Sequence, residues 1–174
     1  MNHLVIAPLL VPLLAGVILL LVRGTAVPLR RLVSAVAALV SIGLAVALLI
    51  QVSEGTVLVY RLGNWQAPFG IVLVADRLSA LMLALTAALA VGSLVYALGG
   101  DDGRGRRFHP LFQMQLLGIN GAFLTGDLFN LFVFFEILLI ASYALQVHGG
   151  GTRRIRAALH LVVLNLIGSA VFLI

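Results

Sequence analysis

Six apolar runs of membrane-spanning length alternate with short polar segments along this chain. They fall at about 4–22, 32–51, 73–98, 109–126, 127–147 and 157–174. About 20 predominantly apolar residues are needed for a helix to cross a bilayer, so each run predicts one transmembrane helix. Between them lie Arg23 to Arg31 with three arginines, Ser53 to Gly70 with Glu54 and Arg61, and Gly99 to Phe108 with Arg104, Arg106 and Arg107. A tight Gly126-Asp127 junction follows, then His148 to Arg156 with Arg153, Arg154 and Arg156. Arginine triplets therefore occupy every second connection. Short arginine-rich loops are retained on the cytoplasmic side, which predicts an all-α integral membrane bundle of about six transmembrane helices with its N-terminus outside.

Some boundaries are better marked than others. Thr125-Gly126-Asp127 is the one break in the apolar stretch holding the fourth and fifth runs; glycine disfavours helix continuation and aspartate caps a new start. The outer segment 53–70 carries Gly63-Asn64-Trp65 and Ala67-Pro68-Phe69-Gly70, which read as turns of a short hairpin, with Trp65 as a headgroup-level anchor. Met1-Asn2-His3 places no basic residue before the first apolar run, so that run reads as a retained span and not as a cleaved signal. The last run ends at Ile174 without a flanking charge or aromatic anchor, the pattern of a truncated part of a larger protein.

Composition narrows the function classes. The chain is 62% hydrophobic and 10% charged, with a mean hydropathy of +1.18; soluble domains carry about 25% charged residues. All 11 basic residues are arginine and the formal net charge is +5. Their place in the connections points to membrane topology, so no nucleic-acid partner is expected. There is no cysteine, which removes disulfides and thiolate ligands. No cofactor fingerprint appears: Gly149-Gly150-Gly151 lacks the lysine and preceding strand of a phosphate loop and reads as a flexible connection. His109 and His148 have no cysteine or carboxylate at ligand spacing, so no metal is expected.

The chemistry lies in the polar residues inside the spans. Glu136 sits near the middle of the fifth run, where a carboxylate costs roughly 2.5–3.5 kcal/mol on insertion scales. It projects on the side of Phe129, Phe132, Val133, Ile140 and Tyr143. It is the candidate proton-transfer residue; a neutral acid hydrogen-bonded to a neighbouring helix is the plainer reading. Asp127 reads first as the N-cap of the same helix, with proton uptake as the alternative. Gln113 and Asn120 share a face of the fourth run, and Asn165, Gly168 and Ser169 cluster on the sixth; both sets suit interhelical contacts, or a wetted proton path. His160, near the inner end of the sixth run, is a further candidate relay or an interfacial histidine. Asp76 and Arg77 read as a capping acid and a snorkelling arginine, and Pro8 and Pro12 as sources of a kink in the first span.

The run Leu111 to Tyr143, with its Gly126-Asp-Leu-Phe-Asn-Leu-Phe-Val-Phe-Phe-Glu136 core, resembles the D-type subunit of the Mrp-type multisubunit cation/proton antiporters. Gly63 to Ser79 and His160 to Ser169 resemble the same protein, and the likeness runs the length of the chain. It implies a larger antiporter-like fold of about fourteen helices, related to the proton-translocating subunits of respiratory complex I. On this reading residues 1–108 form an N-terminal three-helix region and 109–174 the start of the proton-translocating module. The resemblance also places Glu136 at the family's fifth-helix glutamate, whose lysine partner on the seventh helix has no counterpart here, since the chain contains no lysine. It implies antiport of protons against a monovalent cation such as Na+, other antiporter subunits and the lipid bilayer as partners, and multi-pass residence in a bacterial plasma membrane. Two alternatives stay open: a proton-pumping subunit of a quinone oxidoreductase or hydrogenase complex, and a non-transporting assembly module.

Overall fold

The computed structural model describes residues 2–21, 27–65 and 70–172. Six α-helices follow in order: α1 Ala7–Leu21, α2 Val27–Val52, α3 Arg77–Ala97, α4 Phe108–Leu124, α5 Leu128–Gln146 and α6 Thr152–Phe172. An antiparallel hairpin, β1 Leu58–Arg61 and β2 Val72–Ala75, pairs Leu58 with Ala75 and Arg61 with Val72 between α2 and α3. The helix count agrees with the hydropathy pattern and the hairpin stands where the turn residues predict it. Arg23 and the turn at Ala67-Pro68-Phe69 lie outside the described residues.

Element ends depart from the pattern in instructive ways. The third apolar run was expected to be helical from 73, but residues 72–75 are strand β2 and the helix starts only at Arg77. Val72 and Val74 are β-branched, and Val72-Leu73-Val74-Ala75 alternates half-buried with buried, the signature of a half-covered strand. Asp76 then forces the start: its carboxylate accepts from the Ser79 amide at 2.7 Å while the Ser79 hydroxyl accepts from the Asp76 amide at 2.8 Å, a reciprocal capping box. Arginine triplets expected in loops partly enter helices. Arg30 and Arg31 lie in the first turns of α2, behind Pro28, and Arg153, Arg154 and Arg156 open α6. Proline in the first turn loses no intrahelical hydrogen bond, which lets α2 begin early.

Among the described residues four helices are long and apolar enough to cross a membrane: α2, α3, α5 and α6. At 15 and 17 residues, α1 and α4 are shorter than the apolar runs that encode them. At 1.5 Å per residue α4 reaches about 26 Å. Its end is fixed by Thr125, whose extended backbone joins Leu73 in a β-bridge.

The core sits among α1–α4 and the hairpin. Val5, Leu48, Val52, Leu73 and Leu124 are fully buried at the hairpin end, and Ala38, Ala90, Leu94, Phe112 and Leu116 form a second cluster toward the arginine end. Helices α5 and α6 bury only Ala141 and Ala158. Large apolar side chains such as Leu39, Leu89, Ile140 and Leu164 face outward, so this is a membrane protein whose outer faces suit lipid or further helices.

Candidate functional site: polar groups along α4 and the α5–α6 seam

Helix α4 packs on α5 through two glycines. A Cβ on Gly118 would lie 2.6 Å from the Leu138 amide nitrogen, and one on Gly121 would run into the Phe134 ring. Small residues at this spacing let two helix backbones approach without side chains between them. The contact fixes the rotation of α5: Phe134, Leu138 and Ala141 face α4, so Glu136 faces away from it.

Glu136 therefore lies in the seam between α5 and α6. Its half-buried carboxylate accepts a 2.6 Å hydrogen bond from the Ser169 hydroxyl on α6, and Phe132, one turn earlier, stacks on Phe172 at 5.9 Å. No cation pairs with Glu136 among the described residues. Ser169, assigned from sequence to the polar cluster on the sixth span, turns out to be the group that meets the carboxylate.

Gln113 and Asn120 occupy the opposite, core-facing side of α4, 1% and 5% exposed. The Asn120 side-chain amide donates to the Pro8 carbonyl at 2.8 Å. Sequence explains the bond. Pro12 has no N–H, so the Pro8 carbonyl loses its usual partner four residues on, and Asn120 replaces it from another helix. A cavity of about 10 Å³ adjoins this contact, lined by Ser41, Thr86 and Asn120 among others, close to the space one water needs. Both amide atoms of Gln113 are buried without a hydrogen-bond partner among the described residues.

Asp127 is the N-cap of α5. Its carboxylate accepts from the Asn130 amide at 2.7 Å and from the Asn130 side chain. His160 is exposed on α6, its Nδ1 2.8 Å from the Arg156 carbonyl. The sequence-predicted residues are thus not one assembly: Glu136 stands in the outer seam, Gln113 and Asn120 on the far side of α4, Asp127 at a helix end and His160 on the surface. Arg77 does more than snorkel. Its guanidinium donates to the Ser53 carbonyl at 2.7 Å, satisfying a carbonyl at the end of α2 that has no helical donor.

One cluster escaped sequence reasoning. Arg31 on α2 grips Asp102, in the α3–α4 connection, through two hydrogen bonds of 2.6 and 2.9 Å. Asp102 lies 3.4 Å from Nε2 of His109, whose Nδ1 is 2.9 Å from the Ser34 hydroxyl on α2. The Arg31 guanidinium holds the Asp102 carboxyl below the usual carboxylate range. A carboxylate does reach His109, seven residues from it in sequence, although no ligand spacing announced it. The detectable signal was the shared face: His109 stands one turn before Gln113 on α4. No group of three metal-ligating side chains occurs among the described residues.

The start of α2, the α3–α4 connection and the α5–α6 connection meet at one end of the bundle. Arg30 Nη1 donates to the Arg106 carbonyl at 3.1 Å and Arg154 Nη1 to the His148 carbonyl at 2.6 Å. Gly149, Gly150 and Gly151 all have positive φ, a run of left-handed conformations that only glycine adopts readily. At the other end the Gly126 amide donates to the Val72 carbonyl at 2.8 Å, tying the α4–α5 junction to the hairpin.

No protein-family model matches the chain. The D-type subunit of a probable K(+)/H(+) antiporter of Rhizobium meliloti (strain 1021) is 48% identical over the full chain, which covers 33% of that protein. The D-type subunit of the Na(+)/H(+) antiporter of Alkalihalophilus pseudofirmus is 43% identical over the full chain, covering 36% of it. The chain is homologous throughout to the N-terminal portion of these D-type antiporter subunits. It spans about a third of the length of the relatives it matches. Two solved structures share the fold: the Mrp complex from Dietzia sp. DQ12-45-1b, with TM-score 0.85 and 30% identity over 98% of this chain and 33% of that one, and the membrane-bound sulfane sulfur reductase, an archaeal respiratory membrane complex, with TM-score 0.83 and 28% identity over 98% of this chain and 35% of that one. The resemblance carried by residues 111–143 is borne out, and the fold is that of part of an antiporter-like membrane protein.

Proposed function

We propose that this chain is the N-terminal part of a membrane subunit that exchanges protons for a monovalent cation, with Glu136 as the residue that takes up and releases the proton. The observation that carries the reading is the position of Glu136: mid-helix, half-buried, and bonded to Ser169 across a seam between two helices. An intramembrane carboxylate is retained at a cost that packing alone does not justify. Its single hydroxyl partner leaves lone pairs open to a further donor, and a cation from beyond residue 174 would complete the site. The D-type relatives are named for both K(+)/H(+) and Na(+)/H(+) exchange, so the reading extends to monovalent cations as a class. The other subunits of such a complex are its partners, and a bacterial plasma membrane its location. Residues 1–108 serve as the framework and 109–174 as the start of the proton-transfer part. Gln113 and Asn120 line a route on the inner face of α4, while Asp127 and His160 stand nearer the two surfaces.

A second reading follows from the similarity to an archaeal respiratory membrane complex: proton transfer through the same glutamate, driven by a redox partner. Exchange in proteoliposomes carrying the assembled complex separates them. The antiport reading requires cation-driven proton movement without an electron donor, and its loss in Glu136→Gln. Wild-type exchange in Glu136→Gln would remove the central role of this residue.

A further inference from the structure

We propose that His109 is a second proton-binding residue, seated between Asp102 and Ser34 at the arginine end of α4 and serving the polar face that continues through Gln113. The imidazole is 2% exposed. Its Nδ1 side is occupied by the Ser34 hydroxyl at 2.9 Å. On the other side Nε2 stands 3.4 Å from Asp102 Oδ2, too long for a firm hydrogen bond. Protonation places an N–H on each ring nitrogen and gives each an acceptor, so the surroundings match the imidazolium without rearrangement.

A route for the proton is present. The Arg31 side chain is 39% exposed, whereas Asp102, which it holds, is 0% exposed. Asp102 is therefore the carboxylate between water at the arginine end and the buried ring. A proton from hydronium binds Oδ2 and passes to Nε2; no other bond breaks. The same oxygen receives the 2.6 Å bond from Arg31 Nε, and its second lone pair can accept an N–H at Nε2.

Burial opposes charge on the ring, Asp102 favours it, and Arg30 and Arg31 on α2 oppose it. Asp101 pairs with Arg104 at 3.1 Å in the connection, and His148 at the end of α5 packs on Phe108, 5.6 Å between rings. Helix α1 brings no titratable side chain. One turn deeper on the same face, Gln113 has both amide atoms buried and unpartnered. Two successive buried polar groups with unused hydrogen-bonding capacity are what a proton-conducting face requires, and what interhelical glue would have satisfied.

The use of this site in exchange rests on the proposed antiport, but proton binding can be read without it. The assembled complex, labelled with 15N-histidine and reconstituted in lipid, is titrated by solid-state NMR, with His109 assigned by difference against His109→Gln. The expected result is conversion of His109 from a neutral tautomer to imidazolium within the titrated pH range, displaced by about one pH unit to more acidic pH in Asp102→Asn, which removes the attracting charge. A His109 signal constant over that range, or unmoved by Asp102→Asn, overturns the site. In proteoliposomes His109→Gln is expected to slow exchange several-fold and flatten its pH profile, and Ser34→Ala to reproduce part of the change; an unaltered profile in both variants overturns the role in transport. Absence of cation-driven proton movement in the wild-type complex would refute the antiport reading and leave the NMR titration standing.

Discussion

Gly118→Ala tests whether α4 and α5 are held by direct backbone contact. The added methyl would lie 2.6 Å from the Leu138 nitrogen and 2.8 Å from its Cα, atoms that no rotamer change can move. Restoring an ordinary 3.4 Å contact to the nearer atom needs the helices to part by about 0.8 Å. Overpacking of this kind costs about 1–3 kcal/mol, toward the upper end when backbone is struck. Alanine's helix preference over glycine, about 1 kcal/mol, works the other way, leaving a net loss near 2 kcal/mol. For a chain of this length that lowers the Tm by about 4–8 °C. Gly92→Ala is the matched control: nothing lies within 4 Å of its Cβ position, so it keeps the propensity gain and should raise the Tm by about 2–4 °C. Thermal unfolding of both variants in one detergent measures the difference. A Gly118→Ala protein as stable as Gly92→Ala would refute direct backbone packing at this seam.

Asn120→Leu leaves the Pro8 carbonyl buried without a donor and should cost about 1–3 kcal/mol; adding Pro12→Ala supplies a backbone N–H at the proper place, and recovery of at least half the lost stability in the double variant is expected. Asp102, its carboxyl held low by Arg31, contributes stability that is present above the ordinary aspartate value of about 3.9 and is lost as pH falls through the lower folded value. In a His109→Gln background, which removes the titration of the ring, the stability gap between Asp102 and Asp102→Asn should therefore be constant from neutral pH to about pH 4 and close below it, as read by thermal unfolding across pH. Glu136→Gln should abolish exchange, while Asp127→Asn, which preserves a capping oxygen, should retain most of it in vesicle assays. A cysteine at exposed Gly103 should react with an impermeant reagent only from the cytoplasmic side, the chain having no native cysteine to interfere; labelling from outside would reverse the assigned topology.

Hydropathy made the helix number legible because a span must be apolar for about 20 residues whatever it packs against. The kinship of the chain was legible in the Gly126–Glu136 wording. Helix starts were less so: Val72 to Ala75 is as apolar as a helix would be, and only pairing with Leu58 to Arg61 makes it a strand. Asp127 could be read as a cap because an N-cap is set by residues three apart. The pairing of Glu136 with Ser169 depends on how α5 and α6 rotate about each other, which two glycines on a different helix decide. The Asp102–His109–Ser34–Arg31 group joins α2 to elements about 70 residues further along the chain, and no local spacing encodes it.

The hairpin bears on how such a molecule can move. Thr125 and Gly126 are bonded to β2, β2 runs directly into α3, and Arg77 reaches back to the end of α2. Four helix ends are thus riveted by hydrogen bonds to the main chain on one side of the bundle. Across the α5–α6 seam the described polar tie is the one between Ser169 and Glu136. The α5–α6 seam is thus the most lightly tied in polar terms of the contacts described above. A shift of α6 against α5 would remove the hydroxyl partner of Glu136, which would couple the hydrogen bonding of the carboxyl to the position of that helix.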